Sequence, residues 1–336
     1  MIAAKAPSRI DLAGGTLDIY PLYLFLNGGL TINMAIDLYG ETVLSPRSDD
    51  QVILKSKDLK VTEAFNSISE LSVNHKLEAA ARVVNYFAPI GGLEVTTNSL
   101  APKGSGLGGS SSLIVSLIAA LAQYTYNWPL REEYLLSLAR DIEASMLGIP
   151  AGTQDYEAAL HGGINALRFD VGGRKREEIN ISHNFLDLLE TQIVLCFTGV
   201  SRFSGRSNWE IFRNLVDGDI KTRELLRKSK DIAEIILDAL LEDNFPGFSQ
   251  AIKQEAKIRE QLYGNINIKA VKSVVEICQA NGVTTYKPCG AGGGGCYILL
   301  ASSSQQAELL RENLKKTSFV ELPFNIARDG LKVHSY

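Results

Sequence analysis

The chain is poor in the residues that most often announce chemistry. It has four cysteines and four histidines in 336 residues. Cys196, Cys278, Cys289 and Cys296 lack metal-finger spacing, and three of them stand in apolar or glycine-rich stretches. Reduced thiols in the cytoplasm are the simplest reading, which leaves no disulfide framework. His75, His161, His183 and His334 are scattered. A histidine-built metal site or a Ser-His-Asp triad therefore has no local support. Neither sign of charge dominates: Lys and Arg total 34, Asp and Glu 38, for a net charge of −4. Nucleic acid and anionic membranes are not expected partners. No uninterrupted apolar run is long enough to span a bilayer, and no signal peptide is apparent.

Glycine and ordinary apolar content are what the chain does have. Hydrophobic residues make up 45% of it, enough for substantial cores, and its length suggests about two domains. The densest glycine stretch with an obvious continuation is Pro102-Lys103-Gly104-Ser105-Gly106-Leu107-Gly108-Gly109-Ser110-Ser111-Ser112. An apolar run from Leu113 to Ala122 follows, so a helix is expected to start near Gly109 or Ser110. A glycine loop feeding a helix N-terminus presents open N–H groups and the positive end of a dipole. That is an anion site, with phosphate the usual guest. The ordinary alternative is a loop entering a buried helix.

The loop is neither of the two commonest phosphate motifs. Its only lysine, Lys103, precedes the glycines, which excludes the P-loop. Gly104, Gly106 and Gly109 fit G-x-G-x-x-G. However, residues 98–102 separate the strand-like 93–97 from the loop, and the region of Glu132 and Glu133 reads as helix. A dinucleotide fold is rejected on both grounds.

Several acids and an arginine stand out by position. In Ser8-Arg9-Ile10-Asp11-Leu12, alternation puts Ile10 and Leu12 on one face and Arg9 and Asp11 on the other. A charged outer face is the plain explanation. In the helix predicted over 135–147, Glu143 falls within the apolar face and Asp141 outside it. A carboxylate there needs an arginine, a hydrogen bond or a cation. Asp155 stands near the start of the next helix, where it would serve as a capping acid. Amphipathic helices are predicted over about 221–241, 248–263 and 268–280, their charges read as solvated faces. Strands are expected at 283–288 and 296–300, around a second glycine run at 290–295. A helix over 304–316 and a last strand over 319–326 suit a ferredoxin-like α+β unit.

Three of these stretches together resemble the GHMP kinases, the family of galactokinase, homoserine kinase and mevalonate kinase. The loop is similar to P-x-x-x-G-L-G-S-S-[AS], with Gly109 standing in for the first serine. Residues 6–18 resemble A-P-x-R-x-x-x-x-G-G-x-x-D, the sugar-kinase opening. Residues 287–295 resemble K-x-x-G-A-G-G-G-G. Within the family the likeness is greatest to heptose 7-phosphate kinases and L-fucokinases. There the usual Gly-Thr or Trp-Ser before the aspartate is Thr16-Leu17 here.

The resemblance implies an α+β GHMP kinase fold. Residues 1–175 would form an ATP-binding domain like ribosomal protein S5 domain 2, and 176–336 a ferredoxin-like domain. It also implies ATP and Mg²⁺ as cofactors. Lys103, Gly104, Ser105, Gly106, Leu107, Gly108, Gly109, Ser110 and Ser111 would hold the nucleotide, with Ser110 and Glu143 on the metal. Asp155 would take the proton of the acceptor hydroxyl, and Arg9 would lie by the transferring phosphoryl group. Gly15, Thr16, Asp18, Arg202, Gly292 and Gly293 would meet the substrate. Arg202, with Arg206, either grips a substrate phosphate or pairs with surface acids. The implied activity is phosphorylation of a hydroxyl, anomeric in the preferred reading, on a sugar or sugar phosphate such as D-glycero-D-manno-heptose 7-phosphate. A mevalonate-type kinase, a diphosphomevalonate-type decarboxylase and a non-catalytic ATP/sugar sensor are the alternatives.

Overall fold

Two sheets carry the chain. The structure, a computed structural model, describes residues 1–127, 129–201, 205–263, 268–290 and 294–336. The first sheet holds β1 (Ile2–Ala13), β2 (Gly29–Pro46), β3 (Val52–Ser56), β4 (Val61–Phe65), β5 (Leu93–Ser99), β6 (Ile164–Asp170) and β7 (Gly173–Glu178). The second holds β8 (Ile193–Phe197), β9 (Thr285–Pro288), β10 (Cys296–Leu300) and β11 (Val320–Glu321). The last strand, β12 (Lys332–Ser335), returns to the first sheet and pairs with β1. The helices are α1 (Glu78–Phe87), α2 (Gly109–Tyr126), α3 (Glu132–Leu147), α4 (Gln154–His161), α5 (His183–Gln192), α6 (Gly205–Val216), α7 (Ile220–Leu241), α8 (Phe245–Tyr263), α9 (Ile268–Ala280) and α10 (Ser304–Leu314).

The first sheet runs β12-β1-β2-β5-β3-β4, with β6 on β2 and β7 on β6. Its neighbours are antiparallel except for β3 with β5. One face packs on α1, α2 and α3 through Val95, Ile114, Leu117, Ile118, Leu135 and Ile142. Helix α2 is apolar almost all round, as a helix buried within a layer must be. The second sheet runs β11-β8-β10-β9, antiparallel throughout. In chain order that is fourth, first, third, second, which is the ferredoxin-like arrangement. Alternation along β8 sends Val194 and Cys196 to the core under α9 and α10. Ile193 and Leu195 point the other way.

That other face joins the core that lies against the first sheet. Ile10, Leu12, Ile32 and Met34 share one buried core with Leu195, Ile232, Ile236, Phe248 and Ile298. The two halves therefore close on each other through apolar side chains, with α7 and α8 between them. The expected division at 175/176 falls inside β7, because Asn165 to Asp170 pair with 173–178. The expected last strand over 319–326 is two residues long, Val320–Glu321, with one further bridge from Ile326 to Ile36. The terminal strand β12, polar and exposed, carries no apolar alternation that would have announced it. Among the described residues no helix is long and apolar enough to cross a membrane.

Candidate functional site

Helix α2 begins at Gly109, as the sequence predicts, but no serine caps it. The cap is Gly108, at φ 73, and no side chain accepts from the first turn. Three serines therefore sit inside the first turn and its N–H groups stay open, which is the condition for anion binding. Leu107, fully buried, anchors the loop, and the Arg9 N–H donates to its carbonyl at 2.8 Å. On the far side the Cys296 N–H donates to the Ser105 carbonyl at 2.7 Å. At Gly106, φ 79, an added Cβ would lie 3.2 Å from the Gly290 Cα. The phosphate-type loop and the second glycine turn thus touch backbone to backbone, where a side chain has no room.

Arg9 does not lie on a charged outer face. It is 7% exposed, and Asp11 2%. The Arg9 Nε donates to Asp155 Oδ1 at 2.7 Å, and its second terminal nitrogen lies 2.6 Å from the same oxygen. Its first terminal nitrogen donates to the Gly106 carbonyl at 2.6 Å and to the Cys289 carbonyl at 3.2 Å. One guanidinium therefore ties together the loop, the second glycine turn and the start of α4. Burial works against its charge, but the carboxylates of Asp155 and Asp11 outweigh that and hold it above its ordinary range.

Asp155 does not cap α4. Its Oδ1 is on Arg9, and its Oδ2 lies 3.3 Å from the Ser111 hydroxyl oxygen, whose one hydrogen has the shorter contact to Glu143. It keeps 22% side-chain exposure, toward the cleft. Glu143, 9% exposed, is not paired with an arginine. Its Oε2 accepts from Ser111 at 2.7 Å and from the Tyr156 hydroxyl at 2.5 Å. Burial raises its pKa, and hydrogen bonds from Tyr156, Ser111 and Ser110 offset part of that rise. A buried carboxylate surrounded by hydroxyls, with no cationic partner among the described residues, suits a divalent cation. Tyr156, fully buried, is the contributor that sequence reasoning passed over; its only signal was adjacency to Asp155.

Asp18 faces the same space from the other side. Its Oδ1 accepts from the Thr16 N–H at 3.1 Å and its Oδ2 from the Gln154 N–H at 2.9 Å. Burial pushes its pKa up to about 6, the Gln154 N–H restraining the rise and the Asp155 charge adding to it. Gly15 lies against Asp11 and Arg259, where a Cβ would come within 2.2 Å of Asp11 Oδ2. The helix Phe245–Tyr263 departs from the sequence expectation, because two of its charges are not solvated. Glu255 and Arg259, one turn apart, are buried and paired at 3.2 Å. Arg259 also donates to Asp11 Oδ2 at 2.6 Å. Lys287, fully buried, donates to the Asp11 carbonyl at 2.5 Å.

Arg9, Gly15, Thr16, Asp18, Glu143, Asp155 and the loop residues from Lys103 to Ser111, apart from Leu107, all line one cleft of about 660 Å³. Ser110 is exposed there, and Lys103 stands exposed at the rim. Asn208, Arg259 and Tyr263 also line it, and no pattern in the sequence announces them. Arg202, Gly292 and Gly293 lie outside the described residues. Elsewhere, Glu132, Glu157 and His161 come together, but Arg174 reaches Glu157 at 2.6 Å and supplies the positive charge. All four cysteines are buried and unpaired.

An open helix N-terminus, an acid held by an arginine and a second, buried acid among hydroxyls share one cleft, an arrangement that suits a phosphotransferase acting on a small molecule. Residues 74–163 match the GHMP kinases N terminal domain, and residues 236–319 the GHMP kinases C terminal domain. The chain belongs to the GHMP kinase family. It is 29% identical over 340 residues to a D-glycero-alpha-D-manno-heptose 7-phosphate kinase of Campylobacter jejuni, covering 98% of each chain. It is 25% identical to an L-fucokinase/L-fucose-1-P guanylyltransferase of Bacteroides fragilis, over 95% of this chain and 36% of that one. A D-glycero-D-manno-heptose 1-phosphate kinase from Bacteroides thetaiotaomicron superposes with a TM-score of 0.80 at 23% identity, covering 100% of this chain and 99% of the other.

Proposed function

We propose that this ATP-dependent sugar kinase phosphorylates the anomeric hydroxyl of D-glycero-D-manno-heptose 7-phosphate or a related sugar, with Mg²⁺. The observation that carries the reading is the hold of Arg9 on Asp155 beside the open N-terminus of α2. Asp155 Oδ1 is fixed by Arg9, leaving Oδ2 toward the cleft to accept the proton of an acceptor hydroxyl. An anomeric hydroxyl is more acidic than an ordinary alcohol, which suits a carboxylate base. Arg9 lies next to that oxygen and would offset negative charge on the moving phosphoryl group. The loop from Lys103 to Ser111 would cradle the donor phosphates on its N–H groups. Glu143 with Ser110 would hold Mg²⁺, which when bound neutralises phosphate charge.

Phosphoryl transfer needs mainly placement and electrostatics, so these groups suffice. The reading also fits the cytoplasm, where buried free thiols remain reduced. The test is ADP release over a panel of hexoses, heptoses, their phosphates and mevalonate. Transfer to a heptose phosphate with none to mevalonate supports the reading. Transfer to mevalonate alone, or tight ATP binding with no transfer at all, overturns it.

A further inference from the structure

Helix α4 carries Asp155 but has only eight residues, so it depends on its neighbours to hold it in place. Asp155 turns to the cleft. Glu157, about 200° further round the helix, is fully buried on the opposite side. Charged groups reach α4 there from β7, whose pairing among the described residues is with β6 alone. Its sequence, Gly173-Arg174-Lys175-Arg176-Glu177-Glu178, has the composition of a solvated edge. Alternation nevertheless sets Arg174 and Arg176 on one face, both half-buried, and both reach inward.

Arg174 holds α4 by Glu157. One terminal nitrogen lies 2.6 Å from Glu157 Oε1, and the other lies 3.2 and 2.8 Å from Glu132 and Glu133 in the first turn of α3. His161, the last residue of α4, stands 3.4 Å from Glu157 and 3.2 Å from Glu132. Arg176 holds the two ends of the same helix through amides. Its Nε donates to Asn165 Oδ1 at 2.7 Å. The Asn165 amide nitrogen donates to Asn33 Oδ1 and to the Gly162 carbonyl, each at 3.0 Å. The Asn33 amide nitrogen donates in turn to the Gln154 carbonyl at 3.0 Å. Gln154 is the first residue of α4 and Gly162 its C-cap. Asn33 and Asn165 are cross-strand partners on β2 and β6, both without exposed surface. Arginine only donates and a carbonyl only accepts, so both amides can face one way only.

We infer that β7 is a strap that sets the position of α4, and through it the placement of Asp155 against Arg9. Arg174 acts through Glu157, and Arg176 through Asn165 and Asn33. The inference rests on the reading of Asp155 as the base, and it adds the side chains that place that base. Asn33, Glu157, Asn165, Arg174 and Arg176 all stand outside the lining of the cleft, so they are positioning residues. Their leverage is geometric: a misplacement of about 1 Å at the reacting atoms costs about 100-fold in rate.

The test measures single-turnover rates of the full chain, well below each variant's melting temperature, on the panel sugar that the wild type phosphorylates fastest. Arg176→Met keeps the aliphatic stem and removes the donor. Arg174→Met combined with Glu157→Met removes the other tie without stranding a buried charge. Each should lower the rate about tenfold, with ATP and acceptor KM within about twofold, because placement fails while binding persists. Arg176→Lys can donate to the same Asn165 oxygen and should restore the rate to within about threefold of wild type. The decisive readout repeats the strap variants in an Asp155→Asn background. There they should change the rate less than about twofold, because groups that act through one residue are not additive. The same fall in both backgrounds marks a merely structural role and overturns the inference. So does a wild-type rate in both strap variants. Near-normal turnover of Asp155→Asn by itself would instead remove the reading of Asp155 as the base.

Discussion

The hydroxyl of Tyr156 is the first of three that steady the buried acid Glu143. The Tyr156 hydroxyl donates to Glu143 Oε2 at 2.5 Å, and the ring is fully buried. Tyr156→Phe keeps the packing and removes the donor. The Mg²⁺ concentration for half-maximal activity should then rise several-fold, up to about tenfold for one hydrogen bond to a charged group. Direct Mg²⁺ titration followed by protection against thermal unfolding checks the same point, and an unchanged midpoint would remove Tyr156 from this role. Asp18 gives a pH dependence. Its pKa is about 6, raised by burial, so its charged form dominates only above that pH. In the proposed acceptor site the charged form would accept hydrogen bonds from acceptor hydroxyls. Acceptor kcat/KM should therefore fall as pH drops through about 6, and Asp18→Asn should abolish that inflection. On stability the sign is opposite: a carboxyl raised in the folded state favours folding at low pH, and its contribution is lost as pH rises through about 6.

Glu143 was legible because it interrupts an apolar stripe. Glu255 and Arg259 were not, since an acid and a base one turn apart look the same on a solvated helix as on a buried one. Only the arrival of Asp11, 248 residues away from Arg259 in the chain, distinguishes the two.

At the scale of elements, the helices were the most readable, because periodicity of apolar residues is local. The helix predicted at 268–280 and the start of α2 came out where expected. The terminal strand β12 was not readable, because only its pairing with β1 makes it a strand. The contact between the two glycine turns belongs to this scale too. Gly106→Ala would place a methyl 3.2 Å from the Gly290 Cα at a backbone angle suited to glycine. The expected cost is about 1–3 kcal/mol of stability, seen as a lowered melting temperature. ATP KM should rise with it, because the loop must shift away from the start of α2. A variant with wild-type melting temperature and ATP KM would show that the two turns do not constrain each other.

At the scale of the whole molecule, a shared apolar core and a buried charge cluster close the two halves on each other. The core joins β1 and β2 to β8, β10, α7 and α8. The cluster joins Asp11 to Arg259 and Lys287, and burial of Asp11 is more than offset by those two cations and Arg9, which hold its pKa below the usual range. Lys287 is driven the other way, its pKa lowered by burial despite Asp11. Removing one member of such a cluster strands a buried charge, so it locks the position of the C-terminal half against β1. This rigid closure lets a carboxylate on α4, an arginine on β1 and a glycine turn between β9 and β10 share one cleft. The sequence could order those parts along the chain; their convergence is a property of the assembled core.

The most direct measurement is the turnover of Asp155→Asn on the preferred sugar, with ATP affinity determined on the same preparation. Turnover should fall by at least about 100-fold, the low end for loss of a general base, while ATP binding stays within a few-fold of wild type. Near-normal turnover with ATP binding intact would contradict the assignment of Asp155 as the group that accepts the acceptor's proton.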